Sequence, residues 1–244
     1  MQGTDKARYV RQMFGAIARR YDSMNRLMTL GRDQAWRRYT VAQALGRARG
    51  GPEVLRVLDV ATGSGDLGLE VLRQAPEALV VGLDFVPEML CLAQHKARIA
   101  APSPAPLHLT AGDALKLPFP DGTFAAIVTG FALRNVTDIP GAFAEMARVT
   151  RPGGRVACLE IAKPQTPVFR QLFGLYFYRL VPILGGWLTG QPAAYSYLPN
   201  SLTSFLTPDE IAEVMRHNGW RQVSYKRLML GVVAVHVGRR EGKE

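Results

Sequence analysis

Apolar positions recur along this chain in two rhythms. Between residues 7 and 28, Tyr9, Met13, Ile17 and Tyr21 repeat at helical spacing, and a helix is predicted. Gly31 and Arg32-Asp33 interrupt it, a second helix follows over about 34–45, and 46–52 reads as a linker. From Leu55 the rhythm changes to short apolar runs alternating with amphipathic segments. Strands are predicted over 55–60, 79–83, 107–111, 125–130 and 154–161, and helices over 66–74, 87–99 and 138–150. That alternation implies a parallel sheet with right-handed crossovers. Pro102, Pro104 and Pro106 stiffen the connection before the third strand.

Beyond Lys163-Pro164 comes a strongly apolar, aromatic stretch over 167–190, including Phe169, Phe173, Phe177 and Trp187. Arg170, Arg179, Pro182 and Gly185-Gly186 argue against a membrane span, which needs about 20 predominantly apolar residues. A lid over an apolar pocket, an interfacial helix with its arginines toward headgroups, and a helix packed on the sheet all stay open. Thr207-Pro208-Asp209-Glu210 marks a helix start, with Thr207 as the cap. Two β-rich runs, 221–229 and 232–238, meet at Gly231 and close the sheet as an antiparallel pair. The organisation is one α/β domain on a seven-stranded, doubly wound, Rossmann-like sheet. It divides into an amino-terminal helical cap (1–50), a cofactor-binding core (51–163), an apolar lid or insertion (164–206), and a terminal helix and hairpin (207–244).

Candidate chemistry concentrates where the strands end. Gly63-Ser64-Gly65-Asp66-Leu67-Gly68 satisfies G-x-G-x-x-G between a strand and a helix, the layout of a nucleotide-cofactor turn. Asp59, late in the first strand, suits the cationic amine of a methionyl group better than a pyrophosphate. Asp84, 19 residues beyond Gly65, is placed to accept hydrogen bonds from ribose hydroxyls, and Asp113 from an adenine amine. Three acids at three successive strand ends favour S-adenosylmethionine, a cation, over an anionic dinucleotide. Thr62, Gly63, Ser64, Asp84, Phe85, Asp113, Ala114 and Gly130 make up the predicted cofactor site.

Absences narrow the reaction. The segment after the fourth strand, Phe131-Ala132-Leu133-Arg134-Asn135, lacks the Asp/Asn-Pro-Pro-aromatic tetrad of enzymes that methylate DNA amines. Neither Cys91 nor Cys158 follows a proline, as a pyrimidine-attacking thiol typically does, and no metal-ligand spacing occurs. None of the histidines, at 95, 108, 217 and 236, lies at the carboxyl end of strand four or five. Arg134, Asn135 and Glu160 remain as polar groups near an acceptor. Transfer from a sulfonium requires mainly a well-placed, electron-rich acceptor. Arg134 suits an oxyanion on that acceptor, or a water that takes its proton, better than it suits the role of base.

Composition adds surface and compartment. At 244 residues and 48% hydrophobic, the chain can bury one substantial core. Two cysteines in apolar patterns read as buried thiols of a reducing, cytoplasmic setting, and no secretory signal pattern opens the chain. The net charge is +10, of which +8 falls in residues 1–56. Such a face attracts phospholipid or nucleic acid, or is simply a solvated helix surface. The aromatics cluster in 167–190 instead of interleaving with the basic residues, which counts against nucleic acid.

Several segments together resemble one family. They are Met13-Phe14-Gly15-Ala16-Ile17-Ala18-Arg19-Arg20-Tyr21-Asp22-Ser23-Met24-Asn25, the run from Asp59 to Asp66, and Gly112-Asp113-Ala114 with Leu117-Pro118-Phe119. Phe131 to Val136, Arg151-Pro152-Gly153-Gly154 and Leu159-Glu160 complete the set. Over about residues 8–238 the chain resembles the ubiquinone/menaquinone biosynthesis C-methyltransferases, with the Tyr-Asp-x-Met-Asn and Leu-Arg-Asn-Val segments the most specific. The resemblance implies methylation of a ring carbon in a prenylated quinol, demethylmenaquinol to menaquinol. It also implies cofactor contacts at Ser64, Asp84 and Asp113-Ala114, and catalytic roles for Arg134, Asn135 and Tyr21. Ala132 stands where members often carry glycine and is expected to narrow the acceptor pocket; Ala125 replaces a common acid. A prenylated substrate resides in the bilayer. The apolar stretch, with Arg19, Arg20, Arg37 and Arg38, is therefore expected to form its way in at an anionic membrane surface. Methylation of another apolar small molecule, or of the benzoquinol of ubiquinone biosynthesis, is the rival reading. The oligomeric state is open, a homodimer included.

Overall fold

The computed structural model describes residues 4–46, 54–100, 107–183, 197, 201–203 and 205–242. The proline-stiffened connection, most of the predicted linker and the apolar stretch beyond residue 183 lie outside the described residues.

Five parallel strands form the frame: β1 (Arg56–Val60), β2 (Leu79–Asp84), β3 (Leu107–Ala111), β4 (Phe124–Gly130) and β5 (Thr150–Ile161). β6 (Trp220–Leu228) and β7 (Val233–Arg240) complete a seven-stranded sheet of order β3-β2-β1-β4-β5-β7-β6. β7 runs antiparallel to both neighbours, with Glu160 opposite Ala234 and Cys158 opposite His236. The strand order reverses between β1 and β4, so a crevice opens there beyond the carboxyl ends.

Helices cover both faces: α1 (Thr4–Met28), α2 (Asp33–Leu45), α3 (Asp66–Gln74), α4 (Pro87–Ala100), α5 (Ile139–Val149), α6 (Pro167–Leu175) and α7 (Pro208–His217). The start of α7 is a complete capping box: the Thr207 hydroxyl accepts from the Glu210 N–H while Glu210 accepts from the Thr207 N–H. On one face of the sheet Leu58, Phe124, Ile127, Phe143, Met146 and Trp220 pack together. On the other, Val57, Val80, Ala126 and Val128 meet Val41 and Leu45 of α2 and Val71 of α3.

The predicted strand at 154–161 begins earlier, at Thr150, with a register irregularity opposite β4 between Phe124 and Ala126. Gly153 adopts φ +75°, and a Cβ on Gly154 would lie 2.8 Å from the Ala125 carbonyl oxygen, so the Arg-Pro-Gly-Gly turn can be absorbed into the strand. The described part of the apolar stretch, residues 167–183, packs on α1. α6 continues through a π-turn over Tyr176–Leu180, and Phe177, Val181 and Leu202 pack on Ile17 and Met24 of α1. Cys158 is buried as expected, whereas Cys91 is exposed, because it sits on the outward side of α4.

Candidate functional site

The glycine turn builds the floor of the site. Gly65 adopts φ +83° at the start of α3, and a Cβ on Gly68 would come 2.9 Å from Leu107, so α3 can pack closely on the sheet. Asp59 is fully buried beneath this turn. Its Oδ2 accepts from the Thr62 hydroxyl at 2.6 Å and the Gly68 N–H at 2.8 Å. Burial pushes its carboxyl up to about 7. Through these two bonds Asp59 ties β1 to the first turn of α3, while its Oδ1 has no partner among the described residues.

Above the floor lies a cleft of about 110 Å3. Gly63, Asp84, Phe85, Asp113, Ala114 and Gly130 of the predicted cofactor set all line it, together with Ala61 and Ala132. Ala132 thus faces this cleft, not an acceptor pocket. Asp84 is buried, and burial raises its carboxyl while backbone donors oppose the shift. Those donors are the Gly63 N–H, 2.7 Å from Oδ2, and the Val86 N–H, 2.9 Å from Oδ1. A carboxylate at the end of β2, an exposed one at Asp113 beyond β3, and apolar Phe85 and Val86 between them fit an adenosine moiety. Thr62 and Ser64 are absent from the lining. Thr62 turns inward to Asp59, and the Ser64 hydroxyl donates to Asp22 of α1 at 2.6 Å.

That contact belongs to a polar network clasping α1 to the glycine turn. Lys96 of α4 binds Asp22 at 2.7 Å, lies 3.2 Å from the Ser64 hydroxyl and pairs with Asp66. Arg37 of α2 reaches Asp66 at 3.3 Å and pairs with Asp33, which also accepts from Thr29 at 2.9 Å. Arg37 is therefore buried within ion pairs and is unavailable to a membrane surface, contrary to expectation; Arg38 is exposed. The clasp brings α1 over the cleft, where Ala7, Val10, Phe14 and Tyr21 form its roof.

A second cavity, of about 350 Å3, adjoins the first. Met28, Leu30, Trp36, Ile161, Phe169, Leu172, Phe173, Tyr176, Phe177, Met229 and Val233 make its wall largely apolar. Tyr21 and Phe131 line both cavities, so the partition between them is one side chain thick. Phe131 holds a left-handed φ of 57°, a conformation unusual for a bulky residue. Among the charged groups at the second cavity is Arg134, and Asn135 lines the first. The three predicted catalytic residues, Tyr21, Arg134 and Asn135, are thus gathered around the partition.

Arg134 and Asn135 ride on a 3-10 turn, Leu133–Asn135, that follows β4. Arg134 Nη1 donates to the Phe131 carbonyl at 2.7 Å, while its Nε has no partner and neither does Asn135 Oδ1. Glu160, at the end of β5, accepts from the N–H groups of Ala132 and Leu133, both at 2.7 Å. Burial pushes its carboxyl up to about 7 even though Arg134 opposes the shift. No histidine enters this region. His236 is buried on β7, bound to the Pro208 carbonyl, with its pKa lowered by burial to about 4. Among the described residues no group of three or more His, Cys, Asp or Glu could hold a metal.

Sequence reasoning missed Asn25, Trp36 and Asp33, which also line the second cavity. Only Asn25 carried a signal, as the end of the Tyr-Asp-x-Met-Asn segment.

The sequence model of the ubiE/COQ5 methyltransferase family matches residues 1–240. A demethylmenaquinone methyltransferase of Roseiflexus castenholzii is 46% identical over 97% of this chain and 95% of its own length. One from Deinococcus radiodurans is 43% identical over 96% and 93%. A ubiquinone/menaquinone biosynthesis C-methyltransferase UbiE of Desulfotalea psychrophila is 41% identical over 94% and 89%. Among solved structures, the [4+2]-cyclase SpnF shares the fold at a TM-score of 0.68 and 17% identity, covering 96% of both chains. A SAM-dependent methyltransferase of Thermotoga maritima shares it at 0.61 and 15%, covering 94% of this chain and 99% of that one.

Proposed function

Because this chain belongs to the ubiE/COQ5 methyltransferase family, we propose that it methylates a ring carbon of a prenylated quinol, with demethylmenaquinol as the acceptor. The observation that carries this reading is the shared partition: Tyr21 and Phe131 stand between a cleft lined by strand-end acids and an apolar cavity with Arg134 at its wall. S-adenosylmethionine, when bound, supplies an activated methyl group on a sulfonium. Asp84, Asp113 and the backbone around Gly63 would hold its nucleoside end, and Phe85 and Ala114 its apolar faces. Arg134 would stabilise the oxyanion that makes the neighbouring ring carbon electron-rich, and Asn135 and Tyr21 would orient the acceptor.

The apolar cavity exceeds 300 Å3, the lower bound typical of ligand sites, and would take the quinol ring. Exposed Leu30, Leu172, Leu175 and Leu230 suit the rim of an entrance for the prenyl tail at a membrane surface. In this reading α6 supplies one wall of a lid, much of the remainder of the predicted 164–206 insertion lying outside the described residues. No helix among the described residues is long and apolar enough to cross a membrane, so contact would be peripheral.

Labelled S-adenosylmethionine, incubated with reduced demethylmenaquinone in detergent, should give label on the ring carbon. Preferential labelling of a benzoquinol carrying the same tail would move the substrate assignment to the ubiquinone branch. Cofactor binding without transfer to any prenylated quinol would overturn it. Replacing Leu30 and Leu230 with Ser should reduce flotation with anionic liposomes; unchanged flotation removes the rim from the membrane assignment.

A further inference from the structure

Six buried side-chain polar atoms lack a hydrogen-bond partner among the described residues: Asp59 Oδ1, Arg134 Nε, Asn135 Oδ1, Glu160 Oε2, Tyr197 OH and His236 Nδ1. Buried polar groups are nearly always paired, so an orphan calls for an explanation. Three of these six, on Arg134, Asn135 and Glu160, belong to one short turn and the strand end beneath it. Tyr197 is drawn into the same group by its electrostatic interaction with Arg134. Polar atoms left open together, on two residues that line the cavities and on the strand end beneath them, mark a place where something else completes the network.

Glu160 is the member of this group that no role yet covers. Its two oxygens are used differently. Oε1 takes both backbone N–H groups of the turn, and so fixes where the chain leaves β4 and where Arg134 and Asn135 point. Oε2 stands 4.0 Å from Arg134 Nη1, at the edge of ion-pair range, and is otherwise unbonded. Both side chains are buried, so each charge depends on the other for compensation. Glu160 is absent from the lining of either cavity and therefore acts through Arg134. Among titratable groups, Arg134 faces it from the turn and Cys158 from its own strand. β7 offers Ala234 opposite, and the burial-lowered His236 lies two positions further along.

We propose that Glu160 is the positioning residue of this site: it holds the Arg134–Asn135 turn and, on taking up through a bridging water the proton that the acceptor hydroxyl loses, releases Arg134 to the acceptor's oxyanion. The inference rests on the proposed quinol reading. The acceptor O–H bond breaks as its proton passes to a bridging water, that water gives a proton to Glu160 Oε2, where an O–H bond forms, and Arg134 exchanges one anionic partner for another. The buried region keeps the same net charge throughout. That matters because an uncompensated charge in such surroundings is costly, whereas a partner exchange leaves none. A buried carboxyl raised to about 7 lies near the protonation midpoint that such an exchange requires.

The test compares wild type with Glu160→Gln and Glu160→Asp, using reduced demethylmenaquinone and S-adenosylmethionine over pH 5.5–9. In Glu160→Gln the amide oxygen still accepts from Ala132 and Leu133, so cofactor affinity should stay near wild type, while the melting temperature falls because Arg134 loses its anionic partner. Its kcat should fall by about 100-fold, with the acceptor KM changed by less than about twofold. Wild-type kcat/KM should decline below about pH 7 as Glu160 becomes protonated, and Glu160→Gln should lack that acid limb. Glu160→Asp should recover part of kcat. A carboxyl infrared band titrating near the same pH should be present in wild type and missing from Glu160→Gln. A Glu160→Gln enzyme with wild-type kcat and acid limb, or a wild type with no acid limb, overturns the proposal while leaving the quinol reading intact. A wild type that methylates no prenylated quinol overturns both.

Discussion

The two cavities meet at Tyr21 and Phe131 but are made in opposite ways. The first cleft is assembled mainly from strand ends: most of its wall lies at or just beyond the carboxyl ends of β1, β2, β3 and β4, with Met89 added from α4 and the roof from α1. The apolar cavity takes its walls from chain segments as far apart as Tyr21 and Val233, and only the ends of β4 and β5 and the start of β7 contribute to it from the sheet. The first is polar where it must bind and is fixed by sheet geometry. The second is apolar, set by helix packing, and owes its shape to α1, α2, α6 and the turn before β7. A fold of this kind can keep its cofactor machinery constant while its acceptor changes, because the two are built from different parts.

The separation can be broken by substitution. Arg134→Ala should lower kcat by about 10²–10³-fold, the range for removing one group that stabilises developing charge, with S-adenosylmethionine affinity unchanged by calorimetry. If affinity falls equally, the cavities are not separable. Asp84→Asn should act on the other side, weakening cofactor binding by about 10–100-fold, as expected for about 1.5–3 kcal/mol of hydrogen bonding to a charged group, while acceptor KM holds. Phe173→Ala removes an aromatic wall that stacks on Phe177 at 5.1 Å. It should raise acceptor KM by about tenfold with cofactor affinity intact. Asp22→Asn sharpens the comparison by touching neither cavity wall. It weakens the clasp through Lys96, and loss of a partly exposed pair should cost about 1 kcal/mol or less in thermal unfolding.

How much of this was legible beforehand follows the same division. The strands, their order of appearance and the acids at their ends could be read because each depends on a short local pattern. Where local reading failed, side-chain direction was the cause. In a tight turn neighbouring residues point opposite ways, so Thr62 turned down to Asp59 and Ser64 out to α1, although one precedes and the other lies in the glycine motif. Arg37 counted as surface charge until Asp33 and Asp66 enclosed it, and a charge count cannot reveal a buried pair. The acceptor cavity was legible only as an apolar stretch in need of a partner, because its walls are far apart in sequence. Glu160 could be seen as a polar residue at a strand end; its grip on the next turn needed coordinates.

The length of α1 has a consequence for the order of events. Its 25 residues span about 37 Å, so one rigid rod roofs the cofactor cleft at Val10 and Phe14 and walls the acceptor cavity at Asn25 and Met28. The cleft beneath the rod, about 110 Å3, is smaller than the roughly 300 Å3 of typical ligand sites, so taking in a nucleoside would displace the rod. A quinol wedged beneath the same rod would then delay departure of the spent cofactor. Turnover would follow a fixed queue, cofactor in first and out last, and product-inhibition patterns showing random order would refute that queue.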